Sequence, residues 1–162
     1  MPSFKVSLAN HLLINIALLA FSPSGFSVEP PKLSGDLTII IEGIRKAEGD
    51  IKLSLDHNEK AFSDEAVSSL KSGATPINNN NNTAQITFKN IPYGEYGVKL
   101  FHDIDNDNEL DTNLLGIPSE PYGISNNARA AFGLPDWKDA KFSLDKRAMT
   151  IRVKVSTHLP SL

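Results

Sequence analysis

The residues from 84 to 102 read AQITFKNIPYGEYGVKLFH, and two segments of this stretch alternate between apolar and polar side chains. The segments are Ala84–Lys89 and Glu95–His102. Successive side chains of a strand point to opposite faces, so each segment predicts a strand with one buried face. Between them, Asn90–Gly94 contains a proline and a glycine, which favour a tight turn. The stretch therefore predicts two consecutive strands, around which the remaining chain is arranged.

Four other segments show similar alternation, namely Asp36–Glu42, Asp50–Asp56, Ala140–Leu144 and Met149–Val155. Short strands of this kind, separated by turn residues, are typical of a β-sandwich. We therefore predict an all-β fold, an antiparallel β-sandwich of about seven strands. One short helix and a long loop before the last two strands complete the prediction.

Three connections follow from local turn and capping residues. The link Arg45–Gly49 is short and contains a glycine, so it predicts a hairpin between the first two strands. Ser63 is a suitable N-cap and predicts a short helix that extends to Leu70. Gly73–Asn82 ends in a run of asparagines and is predicted to be a surface loop. Within that run, Asn81 begins a pattern that matches a glycosylation acceptor.

The N-terminal part of the chain has the layout of a secretory signal peptide. Lys5 supplies a positive charge, the uncharged apolar run Leu12–Phe21 follows, and Gly25 and Ser27 are small residues that suit a cleavage site. The apolar run is shorter than the ~20 residues of a membrane-spanning helix, although an uncleaved anchor is the alternative. We expect residues 1–27 to be a signal peptide, 28–34 a leader, 35–157 the sandwich domain and 158–162 a tail.

Composition excludes several kinds of protein and partner. The chain has no cysteine, so it forms no disulfide and carries no lipid-anchored cysteine. Removal of residues 1–27 takes Lys5 and no acidic residue, which leaves 15 basic and 19 acidic side chains and a formal net charge of −4. This mild acidity argues against nucleic acid or an anionic membrane surface as a partner. We expect a secreted or periplasmic monomer with no membrane span after signal removal.

The second strand of the opening stretch leads into an acidic loop, HDIDNDNELDTN, at residues 102–113. Four aspartates fall within nine positions of this loop. Like charges so close together repel one another unless a cation lies among them or water screens them. Calcium takes six to eight oxygen ligands from flexible loops, so the spacing predicts a calcium site.

The ligands predicted for positions one, three, five, seven and nine of such a loop are Asp103, Asp105, Asp107, the Glu109 carbonyl and Asp111. The twelfth position, where a bidentate glutamate is usual, is Leu114. A replacement ligand must then come from elsewhere, and Glu120 and Asn113 are candidates. The alternative interpretation is a solvated acidic turn that is held by side-chain-to-backbone hydrogen bonds.

The segment Thr112–Asp139 has little periodicity, but it is too apolar for a free linker, and we expect it to fold back over one end of the sandwich. It contains Ser125-Asn126-Asn127-Ala128-Arg129, which is rich in hydrogen-bond donors. Asn126, Asn127 and Arg129 form a candidate ligand surface for a sugar, a peptide or an acidic group. The alternative is a loop that satisfies its own backbone, with Arg129 paired to a loop aspartate.

His102 is in phase with the apolar positions of its predicted strand, which favours a packed, hydrogen-bonded histidine. Its neighbour Asp103 suggests acid–base chemistry as an alternative. Adjacent strand residues point to opposite faces, and neither a serine nucleophile motif nor a phosphate-binding glycine loop accompanies the pair. We therefore predict no catalytic residue.

The pattern F-x-N-I-P-x-G-x-Y-x-V at residues 88–98 resembles transthyretin-like and collagen-adhesin-B-type sandwich domains. Downstream motifs are FHD at 101–103, LDTN at 110–113, GIP at 116–118, YG at 122–123 and SNNAR at 125–129. With them, the chain resembles the DUF2141 family of exported bacterial proteins over about residues 36–155. The resemblance implies a prealbumin-like fold and a cell-envelope or secreted location, and it implies no established activity.

The function that we predict is that of an exported, non-enzymatic binding or interaction module. Its calcium-type loop orders the long segment, whose part Leu114–Trp137 is the predicted ligand surface. The partner is expected to be an envelope protein or a glycan. Two alternatives stay open, namely a small envelope hydrolase or isomerase that uses His102 with a loop aspartate, and a purely structural domain without metal.

Overall fold

The computed structural model describes residues 33–64 and 66–157, so the predicted signal peptide, most of the leader and the C-terminal tail lie outside the described residues. The described residues form eight strands, two short α-helices and one 3-10 turn. The strands are β1 Ser34–Glu42, β2 Asp50–Asp56, β3 Lys71–Pro76, β4 Ala84–Pro92, β5 Gly94–Asp103, β6 Tyr122–Ile124, β7 Phe142–Leu144 and β8 Ala148–Lys154. The helices are α1 Glu59–Ser63 and α2 Trp137–Ala140, and the 3-10 turn is Ser125–Asn127. No helix within this part of the chain is long and apolar enough to cross a bilayer.

Two sheets share one apolar core. Sheet I has the strand order β4-β1-β8, and sheet II has the order β3-β2-β5-β6, with β7 also pairing with β5. β5 is central to sheet II, because β2 pairs along one of its edges and β6 and β7 pair along the other. The predicted all-β sandwich is confirmed. One pair differs from the antiparallel prediction, since β1 and β8 run parallel.

The core lies between the sheets because alternate positions of each strand are apolar and point inward. Fully buried side chains from both sheets include Leu37, Ile39, Ile41, Ile51, Leu55, Val98 and Val153. At the margin of this core, Tyr96 Oη donates a 2.7 Å hydrogen bond to the Pro92 carbonyl. This bond closes the predicted turn between β4 and β5, and burial raises the pKa of Tyr96.

The predicted hairpin between β1 and β2 is wrong. β1 pairs with β4 and β8, whereas β2 pairs with β3 and β5, so the link Arg45–Gly49 crosses from sheet I to sheet II. Gly49 has a φ of +67°, and a Cβ at this position would overlap the carbonyl oxygen of Asp103. The glycine therefore allows the crossing chain to pass close to the end of β5, rather than forming a two-strand turn.

The predicted helix is displaced toward the N-terminus. Asn58, not Ser63, is the N-cap of α1, and its Oδ1 accepts a 2.9 Å hydrogen bond from the Ala61 N–H. Phe62 is buried in this helix, and its ring packs against Trp137 with a centroid distance of 5.5 Å. The tertiary contact of Phe62 therefore favours a helix whose N-cap lies five residues before Ser63, and this helix ends at Ser63, where the predicted helix begins.

β3 occupies the first part of the segment that we predict to be a loop. It pairs with β2 in antiparallel register. Its residues are small or polar, and only Thr75 is buried, so no apolar alternation is visible in the sequence. A bridge between Asn78 and Thr83 then turns the chain toward β4.

The long segment before the last two strands lies on the outer face of sheet II. β6 pairs with Lys99–Phe101 of β5, and this places Ile124 on that face. α2 includes Ala140, which we predict to be the first residue of a strand, so β7 begins only at Phe142. A second apolar cluster fastens the segment to the sheet, and it consists of Phe62, Ile124 and Ala140, with Ala128 and Trp137 packed against them.

Candidate metal centre

The acidic loop begins where β5 ends. Asp103 is the last residue of β5 and is fully buried, whereas Asp105 and Asp107 are exposed. Because His102 is in phase with the core-facing residues of β5, alternation turns Asp103 to the outer face of sheet II. The strand therefore fixes the first carboxylate, and the loop folds over it.

Two asparagines set the path of the loop backbone. Asn106 and Asn108 have φ values of +62° and +69°, a left-handed conformation that asparagine adopts more readily than most residues. Asp105 Oδ1 accepts a 3.3 Å hydrogen bond from the Asp107 N–H, and Asp107 Oδ1 accepts one of 2.8 Å from the Glu109 N–H. Such turns are expected both for a calcium loop and for a solvated acidic turn.

Glu120 reaches the loop from the segment beyond it. Its side chain is buried, and Oε1 accepts a 2.7 Å hydrogen bond from the Ile104 N–H. Oε2 accepts a second bond, of 3.3 Å, from the Asp111 N–H. A bridge between Thr112 and Pro118 turns the chain back and brings Glu120 to this position. Glu120 therefore joins the start of the acidic loop to its end.

Asp103, Asp105 and Glu120 form a carboxylate cluster, in which an oxygen of each lies within 4.8 Å of the others. Asp103 Oδ1 is buried and accepts no hydrogen bond from any residue that the structure describes. A buried carboxylate oxygen without a donor is costly, so it calls for a cation or another donor. Hard divalent cations bind carboxylate and carbonyl oxygens, and this donor set therefore fits calcium or magnesium.

Lys52 of β2 supplies a positive charge beside the cluster. Its Nζ lies 3.3 Å from Asp103 Oδ2 and donates a 2.8 Å hydrogen bond to Asn108 Oδ1. The Asn108 N–H also donates to Asp103 Oδ2, at 3.2 Å. One oxygen of Asp103 thus has two donors. Among the described residues, Lys52 supplies the one ammonium that pairs with this cluster of three carboxylates.

The cluster contains two of the five predicted metal ligands, Asp103 and Asp105. The side chains of Asp107, Glu109 and Asp111 are exposed and lie outside the cluster that the described residues form. Their part in metal binding stays a prediction.

Glu120 is one of the two residues considered as replacements for Leu114. The other, Asn113, uses its Oδ1 to accept hydrogen bonds from the N–H groups of Leu115 and Ile117. A glutamate between two prolines, in a segment rich in apolar residues, was the signal in the sequence. No local pattern in the sequence identifies Lys52, because only the pairing of β2 with β5 places it next to Asp103.

His102 is buried and hydrogen-bonded, as its strand register predicts. Its Nε2 lies 2.7 Å from the Glu48 carbonyl oxygen, and because a carbonyl only accepts, Nε2 carries the proton of this bond. The ring borders a small cavity of about 160 Å³, which neither Asp103 nor Arg129 lines. His102 and Asp103 lie on opposite faces of β5, so this geometry does not support an acid–base pair.

The candidate ligand residues after β6 are engaged within the chain. Asn126 Nδ2 donates to the carbonyls of Asp139 and Lys141, at 3.1 and 2.9 Å. Asn127 Oδ1 accepts a 2.8 Å hydrogen bond from the Lys154 N–H. These bonds tie the 3-10 turn to the backbone of α2 and β8, whereas the alternative interpretation predicts a loop that satisfies its own backbone.

Arg129 bonds to carbonyl oxygens and not to a loop aspartate. It donates to the carbonyls of Tyr122 and Lys154, at 3.3 and 3.1 Å, and its guanidinium lies 5.1 Å from the centroid of the Tyr122 ring. Ser125, which no local pattern marks as structurally important, is the most buried polar residue of this motif. It is fully buried, accepts from the Val98 N–H at 2.9 Å and donates to the Ala140 carbonyl at 2.6 Å.

A cleft of about 1310 Å³ lies between the outer face of sheet II and the long segment. Its floor includes Lys52, Lys99 and Phe101, and the segment contributes the apolar residues Leu115, Ile117, Phe132 and Leu134. Leu115 and Phe132 are 82% and 88% exposed. The acidic loop, through Asn108 and Glu109, lines the same cleft.

A pilus-presented adhesin, Spy0125 (Cpa), solved as a cysteine-to-alanine mutant, is similar in structure with a TM-score of 0.26 and 13% sequence identity. The match covers 79% of this chain and 28% of the adhesin chain, so this chain spans less than a third of that protein. A similarity this distant carries no argument about function. No curated protein is significantly similar in sequence.

A family model matches residues 39–152, which include the acidic loop, Glu120 and the Ser125–Arg129 motif. The family is described as uncharacterised proteins conserved in bacteria. The matched residues make up well over half of the sequence and run from β1 into β8. The chain therefore belongs to the DUF2141 family.

Proposed function

We propose that this protein is an exported binding module of the bacterial cell envelope, in which a divalent cation, calcium by preference, orders the ligand-binding surface. The cation is held by Asp103, Asp105 and Glu120, with further oxygen ligands from the acidic loop. The ligand surface is the cleft between sheet II and the long segment. Export rests on the signal-peptide layout of residues 1–27.

The observation that carries this proposal is the burial of Asp103 beside a second buried carboxylate. Asp103 is fully buried and Glu120 is 4% exposed. Two carboxylates in such surroundings repel each other and lose hydration, and a divalent cation relieves both penalties. An exposed acidic turn would instead leave its carboxylates in water, where screening is sufficient.

The position of Glu120 links cation binding to the cleft. Its backbone belongs to the long segment, whereas its carboxylate bonds to the two ends of the acidic loop. A cation between Glu120 and Asp103 therefore pins the segment to the end of β5. The apolar residues Leu115 and Phe132, on the same segment, are then presented to the cleft in a fixed arrangement.

The cleft supports a binding role because it exposes apolar side chains above a polar floor. Isolated exposed apolar residues are common, but several around one concave surface are typical of an interaction site. Phe101 and Tyr122 on the sheet supply aromatic rings, and Lys52 and Lys99 supply donors. Such a surface suits a peptide or a glycan of the envelope.

The experiment that tests the metal site is thermal unfolding in calcium, in magnesium and in chelator. Modest affinity, with a Kd on the order of 0.1–1 mM, is expected for an extracellular site. Calcium at ten times its Kd should then stabilise the protein by about 1.4 kcal/mol. Magnesium should stabilise less, because it requires a tighter octahedral ligand set.

Asp105→Asn and Asp107→Asn are a matched pair of variants. Both residues are exposed in the same loop and both accept a hydrogen bond from an N–H two residues later. Asparagine keeps that bond and removes the charge. Asp105→Asn should lose more of the calcium effect than Asp107→Asn, because Asp105 belongs to the carboxylate cluster and Asp107 does not. Absence of any calcium effect in the unmodified protein would overturn the proposed metal site.

A further inference from the structure

Lys52 already holds a positive charge against one of the two carboxylate oxygens of Asp103. Its Nζ lies 3.3 Å from Asp103 Oδ2 and is fixed by Asn108 Oδ1 at 2.8 Å. The side chain of Lys52 is 20% exposed, whereas that of Asp103 is completely buried. The ammonium is therefore a monovalent cation bound to the same carboxylate that the divalent cation uses.

The two cations compete because they share one carboxylate and repel each other. Asp103 Oδ1 has no donor among the described residues, so it is the oxygen that the incoming ion reaches first. Two positive charges within a few ångströms of one another interact strongly where burial excludes water. Full coordination by Asp103 thus favours withdrawal of the Lys52 ammonium.

We propose that Lys52 is an internal counter-ion of the acidic loop, which a divalent cation displaces when it binds. This inference rests on the proposed function, because it concerns the same metal site. Without the divalent cation, Lys52 neutralises the buried Asp103 and keeps the loop folded. With the cation bound, the ammonium leaves Asp103 and turns into the cleft, whose floor Lys52 already lines, and its positive charge becomes available to a ligand.

The second lysine of the cleft floor provides a control. Lys99 Nζ lies 3.4 Å from Asp56 Oδ2, and the side-chain exposures of this pair are 21% and 0%. Asp56 Oδ1, like that of Asp103, has no donor among the described residues. The Lys99–Asp56 pair is therefore equally buried, although Lys99 Nζ also donates a 2.6 Å hydrogen bond to the Phe62 carbonyl, and Asp56 is not a member of the carboxylate cluster.

The test measures calcium affinity by calorimetry for the unmodified protein, Lys52→Met and Lys99→Met. Both variants should unfold at lower temperature in chelator, because each leaves a buried aspartate without its lysine. Lys52→Met should bind calcium about tenfold more tightly, since the competing charge is gone. Lys99→Met should bind calcium as the unmodified protein does.

A second measurement uses the unmodified protein and so does not depend on the folding of a variant. Lysine acetylation by a water-soluble ester, followed by mass spectrometry, reports how accessible each ammonium is. Calcium should increase the acetylation rate of Lys52 severalfold and leave that of Lys99 unchanged.

The outcomes separate this inference from the proposed function. Calcium binding that Lys52→Met leaves unchanged or weakens would overturn the displacement of Lys52 and leave the metal site standing. An acetylation rate at Lys52 that saturating calcium leaves unchanged would also overturn the displacement of Lys52 and leave the metal site standing. Calcium binding in Lys52→Met alone would support competition by Lys52 but remove the metal site from the unmodified protein. If neither the unmodified protein nor Lys52→Met binds calcium, the proposed metal site and the displacement of Lys52 are both overturned.

Discussion

Glu120 accepts a 2.7 Å hydrogen bond from the N–H of Ile104, although the two residues lie 16 positions apart in the sequence. The bond connects the first turn of the acidic loop to the segment that covers sheet II. It also places the Glu120 carboxylate beside Asp103, the only member of the cluster that a strand holds. The carboxylate cluster and the path of the long segment therefore depend on the same side chain.

Glu120→Gln should remove more than half of the calcium-induced rise in unfolding temperature. The amide has nearly the same shape, but it removes one negative charge from the cluster and can accept only one of the two backbone hydrogen bonds, from Ile104 and Asp111, that the carboxylate accepts. Glu109→Gln is the matched control, because the Glu109 side chain is exposed and its carbonyl is unchanged. Thermal unfolding with calcium and with chelator measures both variants, and an equal loss in the two would contradict the role of Glu120.

Removal of calcium should loosen the long segment between the acidic loop and β7, while the strands of the two sheets stay folded. Protease digestion in chelator should then produce early cuts between Leu110 and Leu134, which calcium suppresses. The exposed leucines and Phe132 in this range are suitable cleavage sites for chymotrypsin. Identical digestion patterns with calcium and with chelator would count against an ordering role for the cation.

The apolar side chains that the long segment contributes to the cleft should bind a hydrophobic fluorescent dye. Replacement of Leu115 and Phe132 together by serine should abolish most of the dye fluorescence, because both side chains line the cleft. Leu114→Ser is the control, since Leu114 is fully exposed but does not line the cleft. A dye signal that survives the double substitution would place the apolar binding surface elsewhere.

Ser125→Ala should destabilise the fold by about 3 kcal/mol, as expected when two buried backbone groups lose their hydrogen bonds. The hydroxyl accepts from the Val98 N–H and donates to the Ala140 carbonyl, so it joins β5 to α2. Ser143→Ala is the control, because Ser143 is exposed on β7. Urea unfolding measures both variants, and a cost below 1 kcal/mol for Ser125→Ala would show that the contact is dispensable.

Stability should fall as the pH rises above 10, in part because of Tyr96. Burial raises the pKa of Tyr96 above the ordinary value of 10.0, so the unfolded chain releases this proton first. The stability that the protonated Tyr96 contributes is fully present below pH 10, and it is lost as the pH rises through the raised pKa of Tyr96 in the folded protein. Urea unfolding between pH 9 and 11 should show a smaller decline for Tyr96→Phe. If the free energy of unfolding declines equally in Tyr96→Phe and in the unmodified protein, groups other than Tyr96 cause the loss of stability at high pH.

The sequence predicts the strands well where one face of each is buried. β1, β2, β4, β5 and β8 all carry apolar residues at alternate positions, and their predicted limits agree with the structure within a few residues. β3 is not predicted, because only Thr75 of its residues is buried. β6 is not predicted either, because a three-residue strand has too few positions to show alternation. The sequence does not show which strands pair with each other, as the wrong prediction of a β1–β2 hairpin demonstrates.

The candidate site was predictable to the extent that it is local. Asp103 and Asp105 stand out by their spacing in one loop, and Glu120 was named as a replacement ligand. Lys52 belongs to another strand, and its place beside Asp103 follows from the register in which Asp50 is opposite Asp103. Long-range register is determined by the packed core, so no local pattern identifies such a neighbour.

The parallel pairing of β1 with β8 also constrains how the domain forms. Glu42 and Arg152, which form an ion pair across these strands, are 110 positions apart in the sequence. β1 is the middle strand of sheet I, so one of its edges stays open until β8 has been synthesised. Contacts of such separation slow folding, and sheet I should reach its final structure only after β8 has left the ribosome.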